Sequence, residues 1–212
     1  MITTKMPIGK YPIQKIIRKN CLMKRLFIAI RIPSDEKFTS ACRAIRRSST
    51  KLDKINWIDL ENIHMTLKFL GDTKEDVIPA IEQKIEELTK PMASFDICLN
   101  RIGAFGSRYQ PRIIWVGSDD KIKEINQLHK GLEKHMRAFG FKPTFGNFVP
   151  HATLARIHSI DDKKYFWKQI LAHAPLFNHR LEVKEIILFE SICQNKHTPE
   201  YRVIKQFELK GE

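Results

Sequence analysis

A four-residue pattern occurs twice in this chain and constrains it more than any other feature. His64-Met65-Thr66-Leu67 is followed 87 positions later by His151-Ala152-Thr153-Leu154. Each copy lies in an apolar run that reads as a strand, and each follows a loop-like approach. Successive strand side chains point to opposite faces, so His64 shares a face with Thr66, and His151 with Thr153. Met65 and Leu67 take the other face. Two imidazoles and two hydroxyls, delivered by two similar strands, suggest one site with internal two-fold symmetry.

The surrounding pattern supplies material for such a site. Lys24 to Ile32 reads as a strand with Leu26, Ile28 and Ile30 on one face. Ser34 or Asp35 caps a basic helix that runs to about Thr50, and its Arg43, Arg46 and Arg47 read as a solvated face. A short strand, Ile55 to Ile58, precedes the first His-Thr strand, which Gly71-Asp72-Thr73 ends. A helix follows from near Asp76 to Lys90, with Pro79 in its first turn. Phe95 to Ile102 and Pro111 to Val116 read as paired strands joined by the turn-rich Gly103 to Gln110. Asp119 or Asp120 opens the clearest helix, where Ile122, Ile125, Leu128, Leu132, Met136 and Phe139 form an apolar stripe. Gly131 inside that stripe costs about 1 kcal/mol relative to Ala. An aromatic-rich loop, Phe141 to Phe148, leads to the second His-Thr strand. Asp161 caps a last helix, and two long strands, Leu181 to Ser191 and Tyr201 to Leu209, close the chain.

Helices alternating irregularly with hairpin-like strands indicate an α+β fold with a mostly antiparallel sheet. The order strand–helix–strand–helix recurs on both sides of the middle. We read it as a duplication into two lobes, a bilobal, pseudo-two-fold fold with helices outside, each lobe contributing one His-Thr strand.

Composition narrows the function. With 42% hydrophobic and 29% charged residues in 212, the chain is ordinary for a globular protein. No apolar run approaches the roughly 20 residues that cross a bilayer, so no membrane span is expected. The net charge is +13, which favours polyanions, nucleic acid foremost. Residues 1–22 contribute five of those charges and no acid, leaving +8. That segment reads as a basic tail or a mis-assigned start ahead of Met23, and residues 23–212 as a single bilobal domain. Cys21, Cys42, Cys98 and Cys193 form neither a C-x-x-C nor a metal pattern with histidine. Unpaired thiols fit a reducing cytoplasm, and neither metal nor cofactor is expected.

Two facing imidazoles serve as one general base and one general acid, and mutual repulsion keeps one neutral while the other is charged. Hydroxyls roughly 7 Å along each strand add donors for a tetrahedral anion. A phosphodiester is the natural candidate. A single His-x-Thr-Leu carries little weight, because a strand histidine is more often structural; two in equivalent half-chains carry much more.

HMTLKFLG and HATLAR resemble the paired H-x-T-x motifs of the two-histidine phosphoesterases. Within that superfamily the chain resembles the RNA 2′,3′-cyclic phosphodiesterases, also described as 2′-5′ RNA ligases. The likeness extends through RLFIAIRIP, AFGSRYQPRIIWVG, FVPHATLAR and LFESICQ, nearly everything after Met23. It implies a groove between lobes and hydrolysis of RNA-terminal 2′,3′-cyclic phosphate to a 2′-phosphomonoester. By the family pattern His64 is the proton donor to the 3′-oxygen and His151 the acceptor that activates water, while Thr66 and Thr153 bind phosphate oxygens. A pseudo-symmetric site is compatible with exchange of the two histidine roles. Arg156 matches a family position five residues past the second histidine and complements phosphate charge. Strict alternation puts it on the face opposite His151, so a bulge or a strand end is required. Its counterpart in the first copy is Phe69. Lys68 alternates onto the His64 face but reads as solvated, and Phe145, Phe148 and Tyr109 read as packing or lid residues that could stack on a base.

The remaining histidines, His129, His135, His158, His173, His179 and His197, read as surface or capping residues without partners. The partner expected is an RNA end or oligonucleotide bearing a 2′,3′-cyclic phosphate, and the expected state is a monomer. Two other readings are a 2′-5′ oligonucleotide phosphodiesterase or ligase, and a non-catalytic RNA- or nucleotide-binding module.

Overall fold

The computed structural model describes residues 22–107, 109–192 and 199–211. Most of the basic tail lies outside them, as do Arg108, Cys21, Cys193 and His197. Eight of the described strands form one antiparallel sheet. Its order in space is β10 (Glu200–Glu208), β9 (Glu185–Ile192), β1 (Met23–Arg31), β3 (His64–Lys74), β7 (His151–Ser159), β6 (Gln110–Gly117) and β5 (Arg101–Ser107). The eighth, β2 (Lys54–Trp57), also pairs with β7. A small second sheet joins β4 (Phe95–Leu99) to β8 (His179–Val183).

The α+β class and the antiparallel sheet follow the sequence. The halves of the sheet, however, are not halves of the chain. β3 and β7 meet at one residue pair, Met65 opposite Ala152, and there the two halves join. β2 crosses to the β7 half, whereas β9 and β10 return from the end of the chain to flank β1. A single apolar core runs behind both halves. It collects Leu26, Ile28 and Ile30 from β1, Met65 and Leu67 from β3, Ile114 and Val116 from β6, and Ala152 and Leu154 from β7.

Four helices, α1 (Glu36–Arg47), α2 (Ile78–Thr89), α3 (Lys123–Arg137) and α4 (Lys163–His173), cover that core. In α1 the buried Phe38, Ala41, Cys42 and Ile45 recur at helical spacing, and Asp35 caps the helix by accepting from Phe38 N at 2.7 Å. In α3 the stripe Ile125, Leu128, Leu132 and Met136 is fully buried, each side chain contributing about 1.5–3 kcal/mol. Gly131 has a packing reason: a Cβ there would come within 2.5 Å of Leu88 on α2. Its missing side chain lets the two helices touch.

Several boundaries move. Phe95 to Ile102 is two strands, broken at Asn100, and Leu181 to Ser191 is two strands, broken at Lys184. In both places an apolar run leaves one sheet and enters the other, and only the partner strands decide where. β3 does not stop at Gly71 but continues to Lys74, because Met23 to Leu26 of β1 pair with it there. α3 begins at Lys123 rather than Asp119 or Asp120, and Asp162, not Asp161, caps α4 by accepting from Tyr165 N. None of the helices among the described residues is long and apolar enough to cross a membrane.

Candidate active site

The face of the sheet away from the helices carries both motif histidines. His64 sits among rings of the β10-side half: Phe27 at 4.8 Å between centroids, Tyr201 edge-on at 5.1 Å and Phe189 at 6.3 Å. His151 sits among rings of the other half, with Phe105 edge-on at 4.7 Å and Trp115 at 6.2 Å. Gly103, opposite Trp115 on β5, makes room for that indole, since a Cβ there would collide with it.

The two imidazoles are anchored identically. His64 Nδ1 lies 2.8 Å from the carbonyl of Asn62, and His151 Nδ1 lies 2.7 Å from that of Val149, in each case two residues upstream. A carbonyl only accepts, so each Nδ1 carries the proton and donates. Each neutral ring therefore keeps an unprotonated Nε2, the form a general base requires. Burial pushes both pKa values down, the backbone carbonyls pull them back up, and the positive charge of Arg156 lowers both; His151 adds to that lowering at His64.

Arg156 reaches the histidines because the motif leucines are bulges. Along β3, Ala29 faces Thr66 and Ile28 faces Lys68, so Leu67 is an extra, unpaired residue. Along β7, Trp115 faces Thr153 and Ile114 faces Ala155, so Leu154 is the equivalent extra residue. A bulge reverses the alternation beyond it. Arg156 is thereby turned to the His151 face, which supplies the bulge the sequence requires. Lys68 goes the other way: it is buried on the helix side, 2% exposed, rather than solvated on the His64 face. Both freed leucine carbonyls are satisfied, Leu154 O by Ile58 N at 2.9 Å and Leu67 O by His129 Nδ1 at 2.8 Å.

From sequence, Phe69 is only the apolar counterpart of Arg156. In the fold it pairs directly with Phe27, hence on the His64 face, and stands 49% exposed with the Arg25 guanidinium 4.9 Å from its ring centroid. Treating positions five past each histidine as equivalent is the signal that finds it. Phe148 is stacked on His129 at 3.8 Å, which makes it a packing residue, while Tyr109 and Phe145 are exposed. His179 has partners after all: its Nδ1 is 3.2 Å from Asp35 and its ring lies against Phe38. His173 Nδ1 donates to Gln169 O. Cys42 is buried and its thiol is pushed up to about 12 by that burial, an inert group. Among the described residues no three His, Cys, Asp or Glu side chains are grouped to hold a metal ion. A hollow of about 460 Å³ against α1, lined by Arg43, Arg46, Trp57, Asp59 and Glu61, lies on the helix side, away from the histidines.

A family model described as the 2′-5′ RNA ligase superfamily matches residues 33–191, three quarters of the chain. The chain belongs to that superfamily. Among its curated relatives, an Aquifex aeolicus protein named RNA 2′,3′-cyclic phosphodiesterase is 30% identical over 156 residues, 73% of this chain and 82% of its own length. A Methanocaldococcus jannaschii protein of the same name is 30% identical over 183 residues, 86% of this chain and 99% of its own. A third of that name, from Geobacillus stearothermophilus, is 29% identical over 89% of this chain, which spans only 59% of that relative's length. Solved structures share the fold. A Thermus thermophilus protein matches with a TM-score of 0.72 at 24% identity, and Escherichia coli LigT complexed with 3′-AMP with 0.68 at 22%. Each match covers 89% of this chain and 99% of the other. At these identities the likeness is one of fold.

Proposed function

We propose that this chain is an RNA 2′,3′-cyclic phosphodiesterase that opens a terminal cyclic phosphate to a 2′-phosphomonoester without a metal. The observation that carries the reading is the matched pair of imidazoles, each with Nδ1 donating to a carbonyl and Nε2 left as a base, on two strands that meet at a single residue pair.

His151 Nε2 takes a proton from water as the water oxygen bonds to phosphorus. The bond from phosphorus to the 3′-oxygen breaks, and protonated His64 gives its Nε2 proton to that oxygen. Afterwards His151 holds the proton that His64 has lost, and exchange with solvent resets both. Without substrate, both rings are biased towards neutrality by burial and by Arg156. The bound phosphate anion offsets that cation and restores a proton to one of them, so substrate itself charges the acid. Thr66 and Thr153 donate to the non-bridging oxygens, and Arg156 neutralises the charge that develops there.

Phe69 stands beyond Thr66 on the same face, roughly 7 Å along the strand once the bulge is discounted. That is the reach of a nucleoside from its own phosphate, and the exposed ring suits a stacked base. The substrate is an RNA end or oligonucleotide, acted on by a monomer in the cytoplasm. Ligation of 2′-5′ ends is the same reaction run backwards, and bulk water favours hydrolysis.

The test is turnover of 2′,3′-cyclic AMP in excess chelator with identification of the product. Release of 2′-AMP supports the assignment of the 3′-oxygen as leaving group; 3′-AMP reverses it.

A further inference from the structure

The buried Lys68 belongs to no part of the chemistry above. Its ammonium donates to Glu133 Oε1 at 2.8 Å and to the carbonyl of Lys142 at 2.7 Å. Glu133 in turn accepts from the backbone N of Thr144 at 3.0 Å and from its hydroxyl. Burial raises the Glu133 pKa, but the bonds from Lys68 and Thr144 outweigh it and hold the carboxyl below its usual range. One turn earlier on α3, His129 donates to the bulged Leu67 carbonyl and stacks flat on Phe148, 3.8 Å away with 6° between the planes. Residues four apart share a helix face. One face of α3 thus grips the β3 bulge and the segment running from residue 141 to residue 150.

That segment has no regular structure, yet it delivers His151 and contains the Val149 carbonyl that orients its ring. Its fixed points are Lys142 O, Thr144 and Phe148, and all three are held from α3 and from Lys68, four residues beyond His64. The two half-sites are therefore mechanically joined on the helix side, on the opposite face of the sheet from the histidines.

We propose that Lys68, with Glu133 and His129, is a positioning group that sets the second histidine of the site from the strand that carries the first. The inference rests on the catalytic reading above for its consequence in turnover, but not for the geometry. Burial of a lysine is costly unless its charge is paired, and here the pairing is spent on a loop, not on the core. Its counterpart in the second copy is Ala155, which has no such reach, and the Leu154 carbonyl there is held by Ile58 N where a histidine holds that of Leu67.

The groups facing His151 define the readout. From its own strand Arg156 lowers its pKa; from β5 and β6 it is met by the uncharged rings of Phe105 and Trp115; across the seam lies His64. The Val149 carbonyl favours the charged ring. A loosened loop withdraws that support from His151 alone.

The experiment is an NMR titration of the His64 and His151 ring protons in the full chain, alongside kinetics on 2′,3′-cyclic AMP. The variants are Lys68→Met and, because Lys68 is buried, the exposed Thr144→Val, which leaves the core untouched. Lys205→Met, which removes a surface ion pair with Glu82 and Glu86, is the control. Both loop variants lower the His151 midpoint and leave that of His64 in place, and kcat falls about 10- to 100-fold with KM changed less than about threefold. A folded Thr144→Val or Lys68→Met protein whose two midpoints stay put, or move together, overturns the proposal. Absence of turnover in the unaltered chain would remove the catalytic reading while leaving the titration result to stand or fall by itself.

Discussion

Phe69 and Arg156 occupy one position twice over. Each lies five residues beyond a motif histidine, and each is turned to the histidine face of the sheet by a bulge at the motif leucine. The backbone is thus symmetric where the side chains are not: an aromatic ring at one end of the site and a guanidinium at the other. The charge of Arg156 falls on both imidazoles, whereas Phe69 pairs with Arg25 away from them. Two strands with matched bulges acquire a direction in this way.

Replacing Arg156 by Met should lower kcat/KM by about 10²- to 10³-fold, the cost of losing one donor from a preorganised anion site. Because its cation depresses both histidines, both titration midpoints should rise in the variant. NMR titration checks the sign; midpoints that stay or fall would place the guanidinium elsewhere.

Phe69→Ala should act on binding. Base stacking contributes about 1–3 kcal/mol, so KM for 2′,3′-cyclic AMP should rise about 5- to 100-fold with little change in kcat. Ribose 2′,3′-cyclic phosphate, which has no base, should be hydrolysed equally well by both proteins. An equal loss on both substrates would mean the ring only packs.

Acid should weaken both function and fold. The histidine midpoints lie below the usual 6.5 in the folded chain, so the acid limb of the kcat/KM profile should fall below pH 6.5. In that window the unfolded chain binds protons that the folded one does not, so stability rises with pH up to about 6.5 and is lost as pH drops through the folded midpoints. The urea midpoint should be lower at pH 5 than at pH 7. His64→Gln/His151→Gln should flatten part of that slope.

Gly103→Ala places a methyl against the Trp115 indole, which has no room to retreat from it without approaching His151. A loss of about 1–3 kcal/mol in urea unfolding is expected, with a fall in kcat. An unchanged kcat would show that Trp115 does not support the ring.

Much of this is readable from the chain and some is not, for physical reasons. The α1 and α3 stripes and the His-Thr pairing are local, with periods written into consecutive residues. The bulges are not local, since an extra residue exists only relative to a partner strand. Strict alternation therefore misplaces Lys68 and leaves Arg156 in need of the bulge that β6 and β7 form. For the same reason the breaks at Asn100 and Lys184 are invisible: the apolar runs are continuous, and the competing sheets decide. Glu133 and Thr144 give no signal, because their importance lies in contacts made across the fold, Glu133 meeting Lys68 over 65 residues of chain.

That His64 and His151 form one metal-independent acid–base pair is tested most directly by the rate of 2′,3′-cyclic AMP hydrolysis in excess chelator. The proteins to compare are the unaltered chain, His64→Ala and His151→Ala. The unaltered chain should release 2′-AMP, and each variant should lose about 10²- to 10⁴-fold in rate. Turnover that survives either substitution, or that vanishes with the chelator, would rule the pair out.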